Sequence, residues 1–289
     1  MKEDKMSKRK KQRKTPQITA SLAALLILAV IWLVGGTDSL LKSFAAQPLQ
    51  TVNQLLQQSP KQQQSSQQPA EKLQQSNLAQ LTYVSGKSAV VEVNGGKSTL
   101  KSSDWQTNQV EYHNLDSLNR TSGANVAYLE PRNLANDSLR VRQYVQPTGW
   151  HQKFLNREPI VNRGHLIAYS LSKGIAQNGS YDPTLPSGDQ NNPKNLFTQT
   201  AFANQKLQTI YEAKVREALR SGQKVIYAAQ AIFRSNELMA RGVRLQAISL
   251  DGSLNFNVYI YNVQPGVEFD YATGRSTINR QLQVPEPTR

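Results

Sequence analysis

Asn162-Arg163-Gly164-His165, followed downstream by Asn195-Leu196-Phe197-Thr198-Gln199 and then Asn204-Gln205, gather an imidazole, guanidinium groups and neutral amides within a short span of chain. An imidazole with an ordinary pKa near 6.5 can take up a proton at neutral pH. An amide oxygen suits a hard cation, and a guanidinium forks onto phosphate. Hydrolysis of a phosphodiester needs these three groups. The chain contains no cysteine, which excludes thiolate metal ligands, a thiol nucleophile and a disulfide-stapled scaffold. Any metal must therefore be held by oxygen or imidazole.

The elements that would position these groups follow from periodicity. Alternating apolar residues predict strands over 88–93, 125–129, 224–233, 243–250 and 254–261, with Asp251-Gly252 turning the last two into a hairpin. Asn94-Gly95-Gly96 reads as a second hairpin loop. Apolar side chains at helical spacing predict one long helix over 202–221, with Gly222 just past its end. Strands arranged around a long helix imply an α+β domain. Asn204 sits near the start of that helix, where an Asn is ordinarily an N-cap. Glu212, eight residues on, would lie about 80° around a straight helix from it. A stretch rich in Gly, Ser, Asp and Pro over 179–188 reads as a surface loop.

Charge and hydropathy divide the chain. Residues 1–14 hold eight Lys/Arg against two acids, directly ahead of an apolar run from Ile18 to Val34. This pattern predicts a basic cytoplasmic tail (1–16) and a single transmembrane signal anchor (17–36), with the remainder exported. A cleavable signal ending near Ala45 is the competing reading and would give a secreted protein. Thirteen glutamines between Gln47 and Gln80 cannot bury enough surface to offset chain entropy, so 37–79 reads as a flexible linker. The expected folded domain is 80–289. It carries 23 Lys/Arg against 16 Asp/Glu, a positive field that favours a polyanion without specifying one.

The words Asn162-Arg163-Gly164-His165-Leu166-Ile167, Gly149-Trp150-His151-Gln152, Asn192-Pro193-Lys194-Asn195, Gln199-Thr200-Ala201, Ala203-Asn204-Gln205 and Tyr211-Glu212 resemble, in order and spacing, the DNA/RNA non-specific endonucleases of the ββα-metal (His-Me finger) type. The match is closer to their membrane-anchored streptococcal members. The resemblance implies a central antiparallel sheet flanked by helices and a metal-dependent endonuclease cutting single- or double-stranded DNA with little sequence preference, RNA being a further candidate substrate. It places the general base on His165 and the direct ligand of one Mg²⁺ (Mn²⁺ as the alternative) on Asn204. Glu212 becomes a carboxylate behind the metal, and Asn195 and Gln199 support the metal-bearing turn. Arg163, Lys194 and Arg216 become phosphate contacts. Arg140 and Arg142 are further candidates for phosphate contact, with ordinary surface charge the favoured reading, and His113 reads as a surface or core histidine. Position 162 departs from the family, which commonly has Asp there. The loss of that charge predicts reduced activity or a shifted pH optimum, and it keeps open a rival reading of a catalytically weakened, membrane-tethered DNA-binding protein. The sequence is silent on oligomeric state.

Overall fold

In a computed structural model, residues 75–136, 138 and 140–287 are described. The expected basic tail and membrane segment, and nearly all of the linker, lie outside them. Among the described residues no helix is long and apolar enough to cross a membrane. Leu78 is fully buried against Val93, Ile232 and Tyr259, so the packed domain begins ahead of the expected boundary at residue 80.

The described strands are, in chain order, β1 (Val90–Glu92), β2 (Gln109–Glu111), β3 (Asn125–Leu129), β4 (Phe154–Leu155), β5 (Glu158–Pro159), β6 (Val161–His165), β7 (Leu196–Thr200), β8 (Val225–Ile232), β9 (Gly242–Ser249), β10 (Asn255–Tyr261), β11 (Val267–Asp270) and β12 (Arg275–Ile278). Six of them form an antiparallel sheet in the order β1-β10-β9-β8-β3-β2. The remainder pair as β4-β5, β6-β7 and β11-β12. The expected hairpin around Asp251-Gly252 is the β9–β10 connection, with Asn255 opposite Ile248 and Gly252 at φ 76°.

The turn at Asn94-Gly95-Gly96 does not make a hairpin. All three residues adopt positive φ, but the strand before them pairs with β10, Val90 lying opposite Ile260. A turn signal fixes local backbone direction and not the pairing partner.

One α-helix, α1 (Thr209–Arg220), is present among the described residues, so the expected flanking helices reduce to this one and short 3-10 turns. It packs on β8 and β9. Its Val215 and Leu219 are fully buried in a core with Ala127, Leu129, Val225, Ala229, Leu245 and Ala247, each large aliphatic contributing about 1.5–3 kcal/mol of burial. Gly222 at φ 88° ends the helix, and its N–H bonds the Leu219 carbonyl.

After Ala201 and Phe202 the helical run is not a regular α-helix. Residues Ala203–Gln208 are wound as a π-helix, a rare form that concentrates at functional sites. The 179–188 segment also departs from expectation at one end. Gly179 and Ser180 dock on β2, with the Val110 N–H donating to the Gly179 carbonyl at 2.8 Å and Gln109 bridged to Ser180. A Cβ on Gly179 would lie 1.8 Å from the Val110 oxygen, which accounts for the glycine.

Candidate active site

β6 and β7 pair in a register that sets Asn162 opposite Gln199, Gly164 opposite Phe197 and His165 opposite Leu196. The chain then enters the helical run directly, giving a ββα unit. Thr200 Oγ1 accepts the Ala203 N–H at 3.1 Å and so satisfies one of the helix's first donors. Asn204 is thereby freed from capping. Gly164 is required because the Gln199 side chain crosses it: a Cβ there would sit 2.3 Å from Gln199 Oε1.

A line of amides runs along this crossing. Asn162 Nδ2 donates to Asn204 Oδ1 (3.2 Å), Asn204 Nδ2 to Gln199 Oε1 (2.8 Å), and Gln199 Nε2 to Gln208 Oε1 (2.8 Å). Gln208 Nε2 donates to the His165 carbonyl and to Glu212 Oε1, both at 2.8 Å. The direction of the line follows from its far end. A carbonyl and an ionised carboxylate can only accept, so Gln208 must turn its NH₂ to them and its oxygen to Gln199, and the same choice passes back to Asn204. The His165 carbonyl, with Glu212 beside it, thus dictates that Asn204 presents oxygen, not nitrogen, at its outer end. Gln208, buried in the middle of this line, had no counterpart among the sequence candidates. The signal that could have found it is an amide four residues from both Asn204 and Glu212 on a helix.

The π winding makes this spacing work. On a straight α-helix Asn204 and Glu212 would diverge by about 80°. A segment bonded i to i+5 advances less than 100° per residue, which draws Asn204, Gln208 and Glu212 toward one face.

His165 is 8% exposed. Its Nε2 lies 3.0 Å from the Gln190 carbonyl and 3.3 Å from Gln143 Nε2. A carbonyl partner requires Nε2 to carry the proton, with Gln143 turned to offer its oxygen, which leaves the Nδ1 lone pair as the base. Burial lowers the imidazole pKa to about 4, outweighing the upward pull of the Gln190 carbonyl, and the Arg140 charge lowers it further. Burial also raises the Glu212 carboxyl, against the Gln208 and Arg216 contacts that lower it.

These residues open on one cavity of about 790 Å³, lined among others by Arg140, Trp150, Asn162, Arg163, His165, Asn204, Glu212, Arg216 and Arg220. Four guanidinium groups face it and Glu212 is its single carboxylate. Arg163 Nε donates to the Val145 carbonyl, with its guanidinium 4.6 Å above the Trp150 ring. Arg216 reaches Ser170 Oγ at 3.1 Å and Glu212 Oε2 at 3.6 Å. Arg140, the weaker of the sequence's candidate phosphate contacts along with Arg142, stacks on Tyr169 at 4.9 Å and lines the cavity.

Other assignments shift. Lys194 bonds Asn114 Oδ1 at 2.8 Å and lines a separate hollow with Leu115 and Gln177, so it stands apart from the site. Asn195, fully buried, exchanges 2.9 Å bonds with the Ile167 N–H and carbonyl. It fixes the chain leaving His165 and not the turn that carries Asn204. His113 donates its backbone N–H to Asn125 Oδ1 at 2.8 Å and is remote from the cavity lining.

Residues 93–278 match the DNA/RNA non-specific endonuclease family. Two crystal structures of NucA from Streptococcus agalactiae, one with no metal bound and one with magnesium bound, are similar to this chain at 30% identity. Their TM-scores are 0.57 and 0.58, and each match covers 68% of this chain and 90% of the other.

Proposed function

This chain belongs to the DNA/RNA non-specific endonuclease family, and from that premise we propose that it hydrolyses DNA phosphodiesters without sequence preference, using His165 as general base and one Mg²⁺ held at Asn204. The observation that carries the reading is the polarity of the amide line, which turns a hard oxygen into a cavity walled by guanidinium groups. Neutral at working pH, His165 can accept a proton from water through Nδ1, while its Nε2 bond to Gln190 holds the ring. Arg140, Arg163, Arg216 and Arg220 bind the phosphate and neutralise charge developing on it. None of these contacts reads a base edge, consistent with cleavage indifferent to sequence. RNA is a second substrate on the same chemistry.

The donor set suits Mg²⁺. Among the described residues no group of three or more His, Cys, Asp or Glu could hold a metal, as a closed zinc site would require. An amide oxygen with one nearby carboxylate matches a cation that keeps most of its waters, and Mn²⁺ meets the same description. When bound, the cation supplies Lewis-acid stabilisation at the scissile phosphate. Residues 17–36 would anchor the domain outside the cell, on a linker that runs from residue 37 to just ahead of the buried Leu78. Retention of the full chain in the membrane fraction, with its activity accessible to added DNA on intact cells, tests that placement.

Digestion of plasmid and denatured DNA with Mg²⁺ or EDTA tests the chemistry. The parent cuts only with the metal, and Asn204→Ala loses metal-dependent cutting while remaining folded. If Asn204→Ala cut as well as the parent, the ligand assignment would be wrong. A second reading, a weakened nuclease that mainly binds DNA, is favoured by one contact: the Asn162 amide already occupies part of Asn204 Oδ1. Asn162→Asp removes that donor and adds a negative charge, so on this reading it lowers the Mg²⁺ concentration needed for half-maximal cutting several-fold.

A further inference from the structure

Phe154 is 67% exposed and presents an aromatic face to solvent. It stands on the β4–β5 hairpin, whose two-residue turn places Asn156 at φ 51° and Arg157 at φ 68°. Successive left-handed residues of this kind make a tight, twist-matched connection. The hairpin is pinned from behind, where Leu155 packs with Ile160 and Val161. Phe154 is therefore presented on a fixed support.

Its strand pairing places it beside the active-site cavity. Its cross-strand partner is Pro159, and directly paired residues project from the same face of a hairpin. Pro159 lines the cavity. The ring thus projects from the hairpin face that carries Pro159, beside the cavity.

The geometry points to Phe154 as a base-stacking platform that makes unpaired nucleic acid the preferred substrate. The inference rests on the nuclease reading and adds a substrate class to it. An aromatic face accepts any base, because every base has a π-face, so it adds affinity without sequence preference. In a duplex both faces of an interior base are already stacked, so the contact is available only to a single strand or a frayed end.

Phe154→Ala is expected to weaken binding of a fluorescently labelled single-stranded oligonucleotide in EDTA by about tenfold, and to lower kcat/KM for the same strand with Mg²⁺ to a similar extent. Phe154→Trp is expected to restore both. Duplex DNA should be affected by less than twofold. An oligonucleotide series with one abasic site moved along the strand identifies the stacked base: at that position the parent loses about as much as Phe154→Ala, and the variant loses nothing more. Equal losses on duplex and single strand, or a full loss added by the variant on every abasic oligonucleotide, would overturn the proposal. Binding in EDTA is read without turnover. A parent that binds single strands through Phe154 but never cuts them sinks the nuclease reading alone, and a parent that cuts normally with an indifferent Phe154→Ala sinks the stacking proposal alone.

Discussion

The β8–β9 pair and the β6–β7 pair are both buried antiparallel ladders, and the balance of their buried chemistry differs. β8 and β9 hide mostly apolar side chains that ask only for packing, Val225, Ile226, Ala229, Val243, Leu245 and Ala247, with Arg244, Gln246 and Ser249 as buried polar members of β9. β6 and β7, with the turns around them, hide His165, Asn195, Thr198, Gln199 and Thr200. In that second region each polar group must find a specific partner, since an unpaired buried one costs about 1–3 kcal/mol. Hydrogen-bonded partners are found for each: His165 to Gln190, Asn195 to Ile167, Thr198 to the Thr148 carbonyl, Gln199 to Gln208 and Asn204, Thr200 to the Val263 carbonyl. The first ladder makes the domain stable, and the second makes a few atoms point one way.

Substitutions in each region should separate these roles. The largest effect is expected at the polar ladder. His165→Ala removes the proposed general base and should lower kcat by about 10²–10⁴-fold with little change in DNA affinity, measured by turnover and by binding in EDTA. A variant retaining more than a tenth of parental kcat would remove His165 from that role. Next comes Leu245→Ala in the apolar ladder, fully buried in β9, which should cost about 2–5 kcal/mol of stability in denaturant while the folded fraction keeps its kcat. A loss of kcat in the folded fraction would show that the two regions are not separable.

Gln208→Leu keeps the volume and deletes the relay. It should weaken Mg²⁺ binding by about 10–100-fold by calorimetry, because Asn204 is no longer told which way to turn. Unchanged affinity would mean that Asn204 is oriented without Glu212. The smallest effect is on pH. With His165 lowered to about 4, its basic form persists as the pH falls, so kcat/KM should hold from neutrality and drop only as the pH passes that value. An acid limb near the ordinary imidazole value of about 6.5 would contradict its burial. The same shift has a stability sign. The unfolded histidine binds a proton below about 6.5 and the folded one only near 4, so the stability present above the higher value is lost as pH falls between them.

Legibility in the sequence divided along the same line. The β3 strand and the β9–β10 hairpin stood out because apolar alternation and a Gly turn are local signals. The pairing of β1 with β10 joins residues far apart in the chain, and local pattern carries no information about it. In the polar region, motif words located His165, Asn204 and Glu212, and all three meet at one cavity. The words could not say that Lys194 turns elsewhere or that Asn195 holds the Ile167 backbone. A side chain's direction depends on partners that arrive from other elements. The π winding was invisible for the same reason, since nothing in Ala203–Gln208 differs in composition from an ordinary helix start.

That winding sets a constraint on chain length. Removing one residue between Asn204 and Gln208 would leave every named side chain in place and let the segment relax into a regular, more favourable α-helix. Asn204 and Glu212 would then stand seven residues apart, about 20° around a regular helix, whereas one added residue would set them about 180° apart. This stretch should accept substitutions at its exposed positions, such as Gln205 and Lys206, far more readily than it accepts an insertion.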